Sequence, residues 1–164
     1  MFVATDSGGN RQPISTTPIV SQDTQGRIGV MFGTGQWLFS SDTTDNLTQS
    51  LYGVWDVNQT YPGTMTTPIT RTSLVQQTLS TTTASNTTGG TTYNTRTSTS
   101  NPVTYSSAPG GKMGWYIDLP ITGERVIVNP LLVFGDVIFT SYVPGTTSTD
   151  PCTSSNGTSK WSDC

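Results

Sequence analysis

Chemistry in this chain has few places to start, since it has no histidine and only ten acidic residues. The densest candidate is "SDTTDN", where Asp42, Asp45 and Asn46 offer oxygen atoms. A calcium loop of the EF-hand kind alternates its oxygen ligands, turns on an internal Gly and closes on a distant Glu. This run spaces its carboxylates three apart, with no Gly inside and no Glu following. Asp42 and Asp45 therefore read as turn residues that hydrogen-bond their own backbone. Glu124 is the sole glutamate and lies in "TGERV" beside Arg125, where it reads as a surface residue between turn and strand. Without histidine the usual proton shuttle near neutral pH is missing. Serine and threonine abound, but none sits in a pattern that supplies an activating base. "GTG" (Gly33–Gly35) is too short for a dinucleotide fingerprint and reads as a turn. No catalytic residue, metal ligand or cofactor is assigned.

Two further residue types have alternative uses. Cys152 and Cys164 bracket a Ser/Thr/Gly-rich loop. A disulfide between them is the favoured reading, worth roughly 3 kcal/mol on chain-entropy grounds. Separate thiols, or pairing with cysteines elsewhere, stay open. Two cysteines without a histidine do not make a zinc site. The aromatics Trp37, Tyr52, Trp55, Trp115, Tyr116 and Trp161 read first as packing between sheets. Trp37 and Trp115 are the candidates for stacking a ligand.

The elements that must position these residues are strands. Helical periodicity is nearly absent, and only "TRTSLVQQTLS" (70–80) has spacing that could suit a short helix, against its threonine content. The apolar runs "PISTTPIVSQ", "RIGVMFGTG", "QWLF", "SLYGVWD", "GWYIDL", "ERVIVNPLL" and "GDVIFTSYV" are short and end in Gly, Pro or Asn. Two hairpins are predicted, one turning at Asp23–Gly26 and one at Phe134–Gly135–Asp136, with Pro18 and Pro130 in matching places. In "LYGVWD", Leu51, Gly53 and Trp55 share one face while Tyr52, Val54 and Asp56 share the other. Both faces are substantially apolar, as for a strand between stacked layers. Residues 57–111 are Thr-rich, and 80–100 hold almost nothing apolar beyond Ala84 and Tyr93. That stretch reads as an exposed insertion, either a loop or a solvent-facing hairpin.

The totals fit an exported protein. Charged residues are 10% of the chain, against about 25% in an average globular protein. The net charge of −3 and the scattered basic residues argue against a nucleic-acid surface. No apolar run approaches the roughly 20 residues of a membrane helix. "MFVATD" lacks a signal peptide and reads as the start of a cut fragment.

Several ordered motifs carry a family resemblance. They lie within Ala4–Val20 ("ATDSGGNRQPISTTPIV"), Phe32–Asp56 ("FGTGQWL" to "QSLYGVWD"), Ile69–Thr78 ("ITRTSLVQQT"), Gly114–Pro130 ("GWYIDLPITGERVIVNP") and Val137–Cys152 ("VIFT" to "DPC"). In this order the chain resembles the C-terminal propeller region of the PilY-type tip adhesins of type IV pili. The resemblance implies an all-β fold of antiparallel sheets, about two blades of a quinoprotein-like β-propeller carrying the Thr-rich insertion. On length the chain, 1–164, is a single all-β domain or a propeller fragment. The family's calcium-binding DxDxDN loop and an RGD motif are both absent here, so neither is carried over.

The function implied is that of a non-enzymatic, extracellular component of a pilus-tip adhesin, supporting pilus assembly, twitching motility and surface attachment. Outer-membrane association is a variant of that location. The implied partners are minor pilins or the remainder of the propeller, and a host or abiotic surface. No nucleic acid, membrane span or cofactor is expected. The competing reading is a secreted carbohydrate- or host-receptor-binding β module that uses exposed aromatics.

Overall fold

A computed structural model describes residues 2–56, 69–81, 84–88, 91–106, 111–145 and 158–163. Short β-branched and aromatic runs, each cut by Gly, Pro or a polar turn, give eleven strands among these residues. They are β1 (Ile19–Gln22), β2 (Ile28–Gly33), β3 (Ser50–Asp56), β4 (Val75–Thr78), β5 (Ala84–Thr88), β6 (Thr91–Thr95), β7 (Gly114–Asp118), β8 (Arg125–Val126), β9 (Leu131–Val133), β10 (Asp136–Val143) and β11 (Thr158–Asp163). One sheet has the order β1-β2-β3-β7-β4. A second runs β11-β10-β8, with β9 also paired to β10, and β5-β6 form a separate antiparallel pair.

Pairing is antiparallel except at β4, which lies parallel to β7. The 70–80 stretch forms no α-helix: a 3₁₀ turn at Arg71–Ser73 leads directly into β4. Its threonines and Val75 prefer the extended chain, where branched side chains are not crowded by a preceding turn. Both anticipated hairpins form. Pro18 and Pro130 each sit immediately before the opening strand, where a missing N–H costs no ladder bond. Gly26 and Gly135 take the positive φ that their turns require.

β3 lies at the centre of the larger sheet and buries both faces. Leu51 joins Met31, Ile117, Leu119, Val126, Val137 and Phe139 in the core between this sheet and the β8–β10 layer. Tyr52 and Val54 join Ala4, Phe32, Ile69 and Leu74 on the other side, under the N-terminal segment. Each large apolar side chain fully buried this way is worth roughly 1.5–3 kcal/mol relative to exposure. Gly33 sets the approach of the two layers, because a Cβ there would lie 2.5 Å from Val126 Cβ.

One strand expectation needs correction. "QWLF" is not a strand: β2 ends at Gly33, and Leu38 and Phe39 stand out into solvent, each 68% exposed. The backbone turns there because Asp42 Oδ2 accepts from the N–H groups of Leu38 at 2.7 Å and Phe39 at 2.9 Å. Those amides are then satisfied locally rather than by a neighbouring strand. β2 and β3, on either side of this turn, are antiparallel partners in one sheet.

Candidate functional site

The "TGERV" turn, read from sequence as surface, is instead a buried hub. Glu124 is 1% exposed and Arg125 is 2% exposed. An ionised carboxylate taken out of water must be paired and hydrogen-bonded to persist. The partner is Arg96, just beyond β6, whose guanidinium donates to Oε1 at 2.7 Å and Oε2 at 3.1 Å. Ser141 of β10 donates to Oε1 at 2.5 Å, and the Ile121 amide reaches Oε2.

Arg125 points the other way, into a cradle of carbonyls. Its guanidinium donates to Gln36 O at 3.1 Å, Asp42 O at 2.7 Å, Asp45 O at 2.6 Å and Gly123 O at 2.9 Å. Five donors in a fixed fork suit several carbonyls at once, which an ammonium could not match. The hub thus ties the "SDTTDN" turn, β10 and the flank of the Thr-rich segment to one place.

A second polar network closes the opposite face. Arg71 pairs with Asp118, donates to Thr5 O at 3.0 Å and the Tyr52 hydroxyl at 3.2 Å, and lies 3.9 Å from the centre of the Tyr116 ring. Burial opposes the Arg71 charge, but Asp118 holds its pKa above the ordinary value. Tyr52 also donates to Gln12 Oε1 at 2.6 Å, and burial pushes its phenol up. Every group here has a structural partner, so the network locks the N-terminal segment rather than presenting reactive atoms.

The carboxylates of "SDTTDN" behave as turn residues. Asp42 also accepts from Gln36 at 3.1 Å. The amides of Leu38 and Phe39, with that amide side chain, lower its pKa. Asp45 caps the Leu47 amide at 2.9 Å. Among the described residues no group of three or more His, Cys, Asp or Glu side chains could hold a metal. No described helix is long and apolar enough to cross a membrane.

The two tryptophans singled out for stacking lie in different surroundings. Trp37 meets Tyr142 edge-on at 5.5 Å between ring centres, with the Arg125 guanidinium 5.6 Å from its own centre. Trp115 borders a groove beside β4. Cys152 and Cys164 lie outside the described residues.

What the described surface offers instead is apolar. Leu131, Leu132 and Val133 of β9 are all exposed, and Phe134 at the turn is 105% exposed. Sequence reasoning missed this outward hairpin because its run looks like any buried strand. It missed the Glu124–Arg96 pair as well, although a lone glutamate in a charge-poor chain and an arginine in a polar tract were available signals.

Comparison with known proteins converges on one group. The family model "PilY1 beta-propeller domain" matches residues 1–92. Over 98% of its length the chain is 31% identical to the type IV pilus biogenesis factor PilY1 of Pseudomonas aeruginosa, and covers 14% of that protein. A PilY1 homolog of Xylella fastidiosa is 34% identical over 88% of this chain, which spans 9% of the relative. The crystal structure of the Pseudomonas aeruginosa PilY1 C-terminal domain superposes with a TM-score of 0.73 at 29% identity, covering 88% of this chain and 33% of that one.

Proposed function

The chain belongs to the PilY1 beta-propeller family, and from that membership we propose that it works in type IV pilus biogenesis as a non-enzymatic part of the propeller. It acts outside the cell, at the pilus tip, in assembly, twitching motility and surface attachment. The observation that carries this reading is the similarity to the C-terminal domain of PilY1, which runs through 88% of the chain at 29% identity. The named relatives are pilus biogenesis factors, a role that asks for assembly and contact rather than turnover.

The apolar β9–β10 hairpin supports a docking role. Leu131, Leu132, Val133 and Phe134 expose four apolar side chains on one hairpin, more than scattered surface residues would, and exposed apolar clusters mark interaction sites. We assign it to contact with the remainder of the propeller, with minor pilins as the next partner outward. Antibody raised against this chain and applied to sheared surface fibres tests the location. Label at fibre ends is expected; label confined to cell bodies or medium, with bare fibres, overturns it. A cell lacking the gene, complemented with a Phe134→Ser, Leu132→Ser double variant, should make fewer fibres than one complemented with the unaltered gene.

A further inference from the structure

Between β4 and the segment following β6 lies a groove of about 330 Å³, lined by the apolar Val103, Trp115 and Ile117 and by Gln77 with residues 98–101. Its floor is fixed by a residue that lacks a side chain. Gly53 of β3 is the register partner of Trp115 on β7, and a Cβ on Gly53 would come within 2.5–2.8 Å of the indole. Glycine there lets the ring settle against β3, while the half-buried indole also borders the groove.

The wall is equally well held. The Gln77 amide accepts from Thr99 Oγ1 at 2.9 Å and the Asn101 N–H at 2.8 Å, and donates to Asn101 O at 2.7 Å. Asn101 Nδ2 donates to Gln76 O at 2.8 Å, and the Thr99 amide to Thr78 O at 2.9 Å. With these inner groups satisfied, the wall need not rearrange when the groove fills. Ser98 and Ser100 stand at the exposed lip.

We propose that this groove binds a neutral saccharide, with the apolar face of a sugar ring on the Trp115 indole and ring hydroxyls toward Ser98 and Ser100. Every bordering side chain is uncharged, so a charged ligand would lose water with no opposite charge to meet it. An indole supplies a flat apolar surface with one donor, which suits a polyol with an apolar side. The volume sits at the lower end of the roughly 300–1,000 Å³ range of ligand sites, enough for a small oligosaccharide end. Peptide addition as an extra strand is disfavoured here. Thr78 at the end of β4 and the two residues after it already bond to residues 97–99, through Thr99 N to Thr78 O, Ser80 N to Thr97 O and the Leu79–Ser98 bridge, and Gln76 O accepts from Asn101 Nδ2.

The proposal is independent of the pilus role and is tested on the 164-residue chain itself. A panel of neutral oligosaccharides is titrated while amide and indole NMR resonances are followed. Saturable shifts at residues 98–101 and the Trp115 indole are expected. Trp115→Ala should weaken binding roughly tenfold or more. Because that ring also packs on the core, a second variant is needed. Ser98→Asp with Ser100→Asp puts charge at an exposed lip and should give a comparable loss with an unchanged melting temperature. Trp37→Ala should leave affinity as it was. No saturable shift with any neutral oligosaccharide, shifts that follow Trp37 instead, or binding of peptides alone would each overturn the proposal.

Discussion

The two hairpins β1–β2 and β9–β10 share a sequence plan, yet the structure uses them in opposite ways. Each begins after a proline and turns through a glycine at positive φ. The first is knitted at its turn: Asp23 Oδ1 accepts from the amides of Gln25 and Arg27 at 2.9 Å, and Oδ2 pairs with the Arg27 guanidinium at 2.6 Å. Its second strand then pairs with β3 along its whole length. In the other hairpin β10 buries Val137, Phe139 and Ser141, while β9 stays exposed and Phe134 points outward. Local pattern decides that a hairpin forms. What lies beside it decides whether its apolar residues become core or surface.

The strongest way to break this contrast is to cut what fastens β10 to the rest. Arg96→Ala leaves the Glu124 carboxylate buried without its charge partner, a class of change that costs about 3–5 kcal/mol. The melting temperature should fall steeply, and amide exchange should quicken first in β8 and β10. Equal quickening in β1 and β2 would show that the two hairpins share one cooperative unit.

Next in size is the junction between the layers. Gly33→Ala places a methyl 2.5 Å from Val126, which must move together with its strand. Overpacking of this kind costs roughly 1–3 kcal/mol. Thermal melts should record the loss. A compensating Val126→Ala substitution should recover part of it, while the same replacement without the Gly33 change should destabilise.

How much of this was legible depends on the distance over which each feature is decided. The faces of β3 could be read because alternation of Leu51, Tyr52 and Val54 is fixed by the strand itself. The turns at Gly26 and Gly135 could be read because one residue must take positive φ. "QWLF" misled because its fate depends on the Asp42 carboxylate downstream, which captures amides a strand would have used. Glu124 misled further, since its partner Arg96 lies 28 residues away in a tract with almost nothing apolar to suggest burial. Trp115 and Gly53 are 62 positions apart in the chain, and only their register on paired strands brings them together. The exposure of β9 was invisible for the opposite reason: an apolar strand carries no mark of whether another surface covers it.

Acid should separate the two turns with a smaller effect. Burial tends to raise the Asp23 pKa, but bonds from the Arg27 amide and side chain and the Gln25 amide leave it lowered from 3.8. A carboxylate with a depressed folded pKa contributes stability that is complete above the unfolded value and lost as pH falls through the folded one. Between pH values above 3.8 and strong acid, the β1–β2 turn should therefore loosen. Amide resonances of Gln25 and Arg27 should move with that titration, and Asp23→Asn should abolish the movement. Resonances at Phe134 and Gly135 should not follow it.

The smallest expected effect concerns Phe134 itself. Its φ of 51° lies in the left-handed region, where a Cβ crowds the following carbonyl and Asn or Gly is preferred. A phenylalanine kept there, wholly exposed, gains nothing from burial within the described chain. Phe134→Asn should therefore stabilise the isolated chain by roughly 0.5–1 kcal/mol, seen as a small rise in melting temperature. The same variant should lower fibre number in cells if the ring is held outward for a partner. Those opposite signs, one on the molecule alone and one in the assembly, separate strain retained for contact from a turn residue of no consequence. A destabilised chain, or unchanged fibres, would remove the ring from the docking surface and leave β9 to account for it.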